Sequence, residues 1–416
     1  MTLRKLAQEP RDIVIVGGGA IGCSAAYFLT HHILYNPDIH KVTLLEASSI
    51  AGGSSGKAGG LLAEWATPKC LAPLSFRTHA QLAQQHGGDK IWGHRNVHCA
   101  EVKLQAQTPG SQTESNGTSI PSALDWLLPG TVKSYDEVGN LNNSGQVNPF
   151  MFTTTLARLA EEKGAKILLG SVNKLNYKED QKGVDSVTYT DKEKAGSHTL
   201  AATDVLIAAG PWTPRLFPSI QLGAPRGHSV VVRPSRDLSP YVLFPEIKPP
   251  EDGSLSKILS PEIYPRPGDG LYDFDTVYAC GPDDYGVALP DDTGHVEVDQ
   301  QKTEDVWKAI QSISGEIRDG EVITRQACYK PQIRPHDEDE EVGPIVGPAG
   351  VEGVWLATGH DEWGIHNSAG TGLVISEMIL EGEAKSANCE ALDPKHYMID
   401  TASKGKKGLL QSFLGR

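Results

Sequence analysis

The amino-acid sequence predicts an α/β fold in two parts, one built on a parallel sheet and a second, α+β, on an antiparallel sheet. Three observations carry that expectation. The first is the opening run Arg11-Asp-Ile-Val-Ile-Val-Gly-Gly-Gly-Ala-Ile-Gly-Cys-Ser-Ala-Ala-Tyr-Phe-Leu29, closed by Lys41-Val-Thr-Leu-Leu-Glu46. The second is the return of an apolar strand running into a glycine turn, at Asp204-Val-Leu-Ile-Ala-Ala-Gly210 and at Val354-Trp-Leu-Ala-Thr-Gly359. The third is the alternation in Glu262-Ile-Tyr-Pro-Arg266 and Thr276-Val-Tyr-Ala-Cys280, as antiparallel strands show.

In the opening run, Asp12–Val16 is short, apolar and rich in branched residues, which reads as a buried parallel strand. Gly17, Gly19 and Gly22 then give G-x-G-x-x-G, and a helix of small residues follows through Ala20 and Ile21 to about Thr30. The three glycines divide the work. Gly17 makes the tight turn, Gly19 lets backbone approach a diphosphate, and Gly22 lets the helix pack close to the sheet. The helix start offers unpaired N–H groups and a positive end to that diphosphate. Glu46, followed by Ala47, ends the second strand, where a carboxylate accepts from both hydroxyls of an adenosine ribose. With strand, turn, helix and acid in this order, a Rossmann-type dinucleotide site is the better reading than a structural turn.

At 416 residues the chain has room for two domains. A formal charge of −14 argues against nucleic acid or an anionic membrane as the main partner. The six cysteines, Cys23, Cys70, Cys99, Cys280, Cys328 and Cys389, form no C-x-x-C pair, so they suit a reducing compartment and not structural zinc. Met1–Pro10 is polar and unlike a signal peptide, and no apolar run approaches the ~18 residues of a membrane span. The expectation is a cytoplasmic protein with a small-molecule substrate, no metal and no integral membrane segment.

After Glu46 comes the small, hydroxyl-rich run Ala51–Leu62. By composition alone it is a flexible linker. Directly after the second strand of a dinucleotide site it reads instead as a loop of N–H and hydroxyl donors wrapping a larger cofactor. A nicotinamide has no need of this second loop; a flavin, with its ribityl chain and ring system, does. Leu74–Gln85 is helical in spacing and Val97–Leu104 strand-like, while Gln105–Ser122 reads as an exposed insertion. Val132–Val138 leads to a helix over Phe150–Lys163, ended by Gly164, and to a strand at Lys166–Val172. Beyond Pro225–Arg233, the proline- and acid-rich Pro234–Ser260 reads as loop and Thr303–Ile317 as helix. Gln326–Pro348 is strand and loop, with the acidic run Asp337–Glu341 a solvated turn. The last block, Val354–Leu380, repeats the strand, glycine turn and helix start. Ser403–Arg416 is a frayed basic tail. The predicted division is a discontinuous cofactor domain of 1–70, 145–225 and 325–416 and a substrate domain of 71–144 and 226–324. The site is expected between them, at the carboxyl ends of the parallel strands.

Four blocks in this order, Ile15–Tyr27, Gly53–Gly60, Leu206–Thr213 and Ala357–Gly372, resemble the FAD-dependent oxidoreductases of the D-amino-acid oxidase superfamily, which includes glycine and sarcosine oxidases. Within it the chain is similar to a fungal group, one member of which is named for a topoisomerase-I-damage phenotype and linked to endosome-to-Golgi transport. The resemblance implies FAD as cofactor and extends the site. Gly17–Gly22 would hold the diphosphate. Ser54, Ser55, Lys57, Ala58, Gly59 and Gly60, with Leu61 after them, would line the path from diphosphate to flavin, and Val172 would meet the adenine through its backbone. Ala209, Gly210 and Trp212 would lie beside the adenosine half, and Gly359, His360, Gly364 and Ile365 over the flavin pyrimidine. It also implies an arginine that clamps the substrate carboxylate; here the register puts Lys330 or Ala327 in its place, and lysine lacks the planar fork. Cys328 falls where the sarcosine-oxidase branch attaches flavin, with a half-buried free thiol as the alternative.

If the substrate is an amine, hydride transfer needs its nitrogen neutral. Deprotonating an amine of pKa near 10.4 at pH 7 costs about 4–5 kcal/mol, which a dry pocket supplies in part by disfavouring the cation. Candidate catalytic residues are Lys330, Tyr278, His360 and Trp363, with Tyr264 and Arg266 beside them. Each has a structural alternative: Tyr264 and Tyr278 as sheet packing, Trp363 as a core plug, His360 as a satisfied loop histidine. The competing reading is an FAD-binding protein that acts through protein contacts in endosomal trafficking.

Overall fold

The computed structural model describes residues 9–107, 118–194, 196–250, 257–333 and 342–399. Two sheets carry the fold. The first has eight strands in the order Ser197–Ala201, Val184–Asp191, Lys166–Tyr177, His40–Glu46, Arg11–Val16, Asp204–Ile207, Val354–Thr358 and Ile345–Pro348. The five from Lys166–Tyr177 to Val354–Thr358 run parallel, and an antiparallel strand closes the right-hand edge while two extend the left. Ile15 stands in register between Leu44 and Leu206. Because side chains alternate along a strand, Ile13 and Ile15 enter the core beneath the helices Ala20–His31, Pro149–Glu162 and Gly364–Glu381. Val14 and Val16 enter the opposite core with Val205, Ile207 and Leu356.

Seven strands form the second sheet: Glu321–Tyr329, Arg226–Arg233, Thr276–Cys280, Glu262–Arg266, Tyr241–Lys248, His98–Gln105 and Val132–Gly139. Val230, Val232, Val277 and Ala279 pack on one face against Val306, Ala309 and Ile310 of the helix Gln300–Gln311. The alternate residues Val231, Tyr264 and Tyr278 turn to the other face. Small strands Leu61–Ala63, Ser144–Gln146 and Arg95–Asn96 make a third sheet.

Three sequence expectations change. Pro234–Ser260 is not all loop, since Tyr241–Lys248 is a strand within the second sheet, parallel to His98–Gln105. Its prolines masked it: Pro245 lacks a ladder N–H, but on its other side the strand meets Glu262–Arg266 only at Leu243–Ile263. The helix expected over Thr303–Ile317 begins earlier, where Asp299 accepts from the amides of Gln301 and Lys302, and ends at Gln311. Ser314 caps a separate turn, Gly315–Arg318. The expected boundary at 325 falls inside Glu321–Tyr329, which pairs along its length with Arg226–Arg233. Most of the insertion at 105–122, the acidic run and the basic tail lie outside the described residues.

Candidate functional site

The carboxyl ends of the parallel strands open onto one large cavity of about 800 Å3, whose opposite wall is the face of the second sheet that carries Tyr264 and Tyr278. The turn after Arg11–Val16 places Gly17 at φ +114°, with the space of a Cβ taken by the Ala208 carbonyl at 2.3 Å. At Gly22 a Cβ would stand 1.9 Å from the Gly17 carbonyl oxygen, so the helix seats on the turn only with glycine there. Gly19, Ala20 and Ile21 line the cavity. The Ala20 amide donates to Ser55 Oγ at 2.8 Å, which ties the Gly53–Gly60 loop to the helix start. No side chain at Gly19 caps the helix, so its first turn presents N–H groups to the cavity.

Glu46 is buried and aimed by three donors. The Gly18 amide reaches Oε2 at 2.7 Å, and the Ser48 amide and hydroxyl reach Oε1 at 2.8 and 2.9 Å. A carboxylate has about four lone-pair positions, so acceptor capacity remains for a ribose. Ala47, Ser54, Ser55, Ala58, Gly59, Gly60, Leu61, Val172, Ala209, Gly210, Trp212, His360, Gly364 and Ile365 all line the same cavity. Val172 sits at a register shift in its ladder with Val184–Asp191, which disturbs the backbone pairing where the strand borders the cavity. Gly22, Lys57 and Gly359 do not line it. Lys57 turns away to the Ala327 carbonyl at 3.1 Å, and Gly359 is packed against Ile333. The cavity volume, the helix-start donors and the oriented carboxylate together suit FAD.

The expected catalytic residues lie at the other end, under the second sheet. Tyr278 and Tyr264 are a register pair with ring centroids 5.7 Å apart. Tyr264 donates its hydroxyl to Glu262 Oε2, and burial holds both phenols well above their ordinary pKa. Arg266 lies behind Tyr278, its guanidinium 4.6 Å from the ring centroid, and donates to the Ala58 carbonyl at 3.0 Å; it does not line the cavity. Trp363 stands edge-on to Trp65 at 5.7 Å. Lys330 does line the cavity, held by Asp283 at 2.8 Å, Glu362 at 3.1 Å and Asp361 at 4.0 Å. Burial lowers its pKa, but Glu362, Asp283 and Asp361 outweigh that and raise it, so Lys330 is a fixed cation, not a base. Ala327, the other residue weighed for the clamp position, is buried opposite His228 in the sheet.

Burial pushes His360 down to about 3, and its Nε2 pairs with Thr371 Oγ1 at 2.9 Å. It is a neutral imidazole that ties the loop to the helix Gly364–Glu381. Cys328 lines the cavity as a protonated thiol, pushed up to about 11 by burial against the pull of Lys57 and Lys330.

Sequence reasoning missed several residues of the site, among them the acids Asp283, Asp361 and Glu362 around Lys330. Glu262 follows from period two, because it shares a strand face with Tyr264. Trp65, Glu101 and Phe244 meet at the cavity only through the tertiary fold. Arg215, on the short helix after Trp212, donates to the carbonyls of Leu289, Pro290 and Asp291 at 2.9–3.1 Å. With the Trp212 indole N–H on the Pro290 carbonyl at 2.7 Å, it straps residues 289–291 across the dinucleotide end.

A family model for FAD-dependent oxidoreductases (DAO) matches residues 12–378. The Schizosaccharomyces pombe protein C1F5.03c is 34% identical over 92% of this chain and 98% of its own length. The Saccharomyces cerevisiae protein TDA3 is 27% identical over 95% of this chain and 97% of its own. Among solved structures, glycine oxidase from Bacillus cereus superposes with a TM-score of 0.68 at 20% identity, covering 94% of this chain and 98% of that one, a likeness of fold.

Proposed function

The chain belongs to the DAO family of FAD-dependent oxidoreductases, and from that premise we propose that it oxidises the C–N bond of a small amine or amino-acid-like molecule. FAD, when bound, accepts the hydride from the carbon beside the nitrogen. The residues of the chain bind, orient and exclude water. Gly19–Ile21 and Ser55 would hold the diphosphate, Glu46 the adenosine ribose, and the start of the helix Gly364–Glu381 would offer its positive end to charge gathering on the flavin ring. Tyr264, Tyr278 and Trp363 make the opposite wall, which favours a neutral nitrogen by keeping the pocket dry. The loss of hydride from the neutral amine leaves an iminium C=N bond that water cleaves to a carbonyl compound and ammonium, or an alkylammonium where the substrate is a secondary amine.

One observation carries this reading: dinucleotide-type loops and the aromatic wall of the second sheet share a single cavity. It supports a division into an FAD half and a substrate half as expected from 1–70, 145–225 and 325–416 against 71–144 and 226–324, with the last boundary moved past the strand Glu321–Tyr329, which stays with the second sheet. Purified protein examined before and after acid precipitation reports flavin identity and any covalent bond at Cys328. Anaerobic mixing with amines and amino acids then reads hydride transfer as bleaching of the flavin. Bleaching within seconds is the expected outcome; a flavin that no amine bleaches defeats the proposal.

The pinned Lys330 favours a second reading, since among the described residues it leaves no free clamp for an amino-acid carboxylate. On that reading the protein binds FAD and acts through contacts in endosomal trafficking in the cytoplasm. No helix among the described residues is long and apolar enough to cross a membrane. An inert flavin, with the protein recovered on endosomes through a partner, is its signature.

A further inference from the structure

We infer that the substrate is an alkyl di- or polyamine carrying no carboxylate, with one of its ammonium groups held by Glu262; this rests on the amine-oxidising reading above. Cations available to a substrate carboxylate are the first test. Of the cavity-lining residues, Arg215 and Lys330 are the lysine and arginine side chains. Arg215 is spent on the carbonyls of residues 289–291, at the dinucleotide end. Lys330 is spent on Asp283 and Glu362, with Asp361 behind them. Arg266 is buried behind Tyr278 and donates to Ala58. None of the three is placed to form a bidentate pair with an incoming carboxylate.

The acids give the complementary picture. Glu101, Glu262, Asp283, Asp361 and Glu362 all line the cavity, where among the described residues Lys330 is the one lysine; Asp283, Glu362 and Asp361 stand around its ammonium. Glu262 is the inner one. Its Oε2 takes the Tyr264 hydroxyl and lies 3.8 Å from the Cys280 sulfur, while among the described residues no hydrogen bond reaches Oε1. Tyr264, Tyr278, Phe244, Trp65 and Trp363 line the same cavity, Tyr264 in contact with Glu262. Aromatic faces with a carboxylate among them attract an alkylammonium and solvate its methylenes, whereas a substrate carboxylate there would meet like charge. Glu101 is exposed and offers a second anionic point at the mouth. A diamine also reconciles recognition of charge with chemistry. One nitrogen stays cationic at a carboxylate while the other, neutral, loses the hydride from its neighbouring carbon.

Putrescine and 4-aminobutyrate make the matched probe, since one terminal ammonium is exchanged for a carboxylate. The FAD-loaded protein is titrated with each, and with spermidine and sarcosine, reading perturbation of the oxidised flavin spectrum; anaerobic bleaching is read separately. Putrescine and spermidine are expected to bind at least tenfold more tightly than 4-aminobutyrate or sarcosine. Glu262→Gln should weaken diamine binding about tenfold while 4-aminobutyrate binding moves by less than about twofold. The exposed Glu101→Gln should weaken spermidine severalfold, and it keeps the test open should Glu262→Gln fail to retain flavin. Tighter binding of sarcosine or 4-aminobutyrate, or no perturbation by any diamine, overturns the inference. Diamines that bind without bleaching sustain it and defeat the oxidising reading instead; amino acids that bind and bleach do the reverse.

Discussion

Glu46 shows how a single side chain is prepared for a ligand. Its carboxylate is held by the amides of Gly18 and Ser48 and the hydroxyl of Ser48, so turn, strand end and following loop meet at one group. Glu46→Ala removes a charged acceptor and leaves those donors without it. Charge-assisted hydrogen bonds contribute about 1.5–3 kcal/mol, so FAD affinity should fall by between about ten- and a hundredfold, measured by fluorescence titration of apoprotein. An unchanged Kd would mean the ribose is held elsewhere. Lys330 was legible as a charged residue near the site, but its commitment to Asp283 and Glu362 was not. Those acids come from two loops distant in sequence, and no local pattern announces such a meeting.

Among the elements, the helix Ala20–His31 was readable in full because its glycines answer to local geometry. Gly22→Ala would drive a methyl into the Gly17 carbonyl. Overpacking of that kind costs about 1–3 kcal/mol, and the urea midpoint should fall accordingly; a midpoint that stays in place would show that the turn relaxes freely. The strap at residues 289–291 was not readable, since its carbonyls are held by Trp212 and Arg215 across a gap of over seventy residues. Arg215→Ala combined with Trp212→Phe should speed FAD release severalfold in a dilution experiment followed by flavin fluorescence, with little change in unfolding midpoint of the apoprotein. An off-rate equal to that of the unsubstituted protein would rule out the strap as a barrier.

Three buried imidazoles link the whole molecule to pH. His79 is lowered to about 4, His360 to about 3 and His366 to about 3, each chiefly by burial. His366 accepts from the Ala63 amide and donates to the Ala72 carbonyl, and His79 packs beside it on the carbonyls of Ile365 and His366. Unfolded, each takes a proton near 6.5; folded, each stays neutral far below that. The unfolded state therefore binds more protons as pH falls, and stability drops with it. The effect begins near pH 6.5 and reaches about 1.4 kcal/mol per imidazole at pH 5.5. Urea midpoints at pH 7.5 and 5.5 should differ by the sum of these contributions, and His366→Gln should remove part of the difference. Equal midpoints would place protonatable, solvent-reached imidazoles at these positions.

Local chemistry determined the cofactor end. A strand, three spaced glycines, a helix of small residues and a terminal acid constrain one another within forty residues, so pattern alone was enough to read a dinucleotide site. The antiparallel pair Glu262–Arg266 and Thr276–Cys280 was readable for the same reason, since alternation is a property of neighbours. Only the tertiary structure decided what the second sheet presents to the cavity. Tyr241–Lys248 enters that sheet despite its proline, Glu262 reaches the cavity with no hydrogen bond at Oε1 among the described residues, and Lys330 is neutralised by acids from two other loops. The physical reason is that charge and burial at a substrate pocket are set by which distant segments converge there, and convergence is a property of the folded chain, not of any stretch of it.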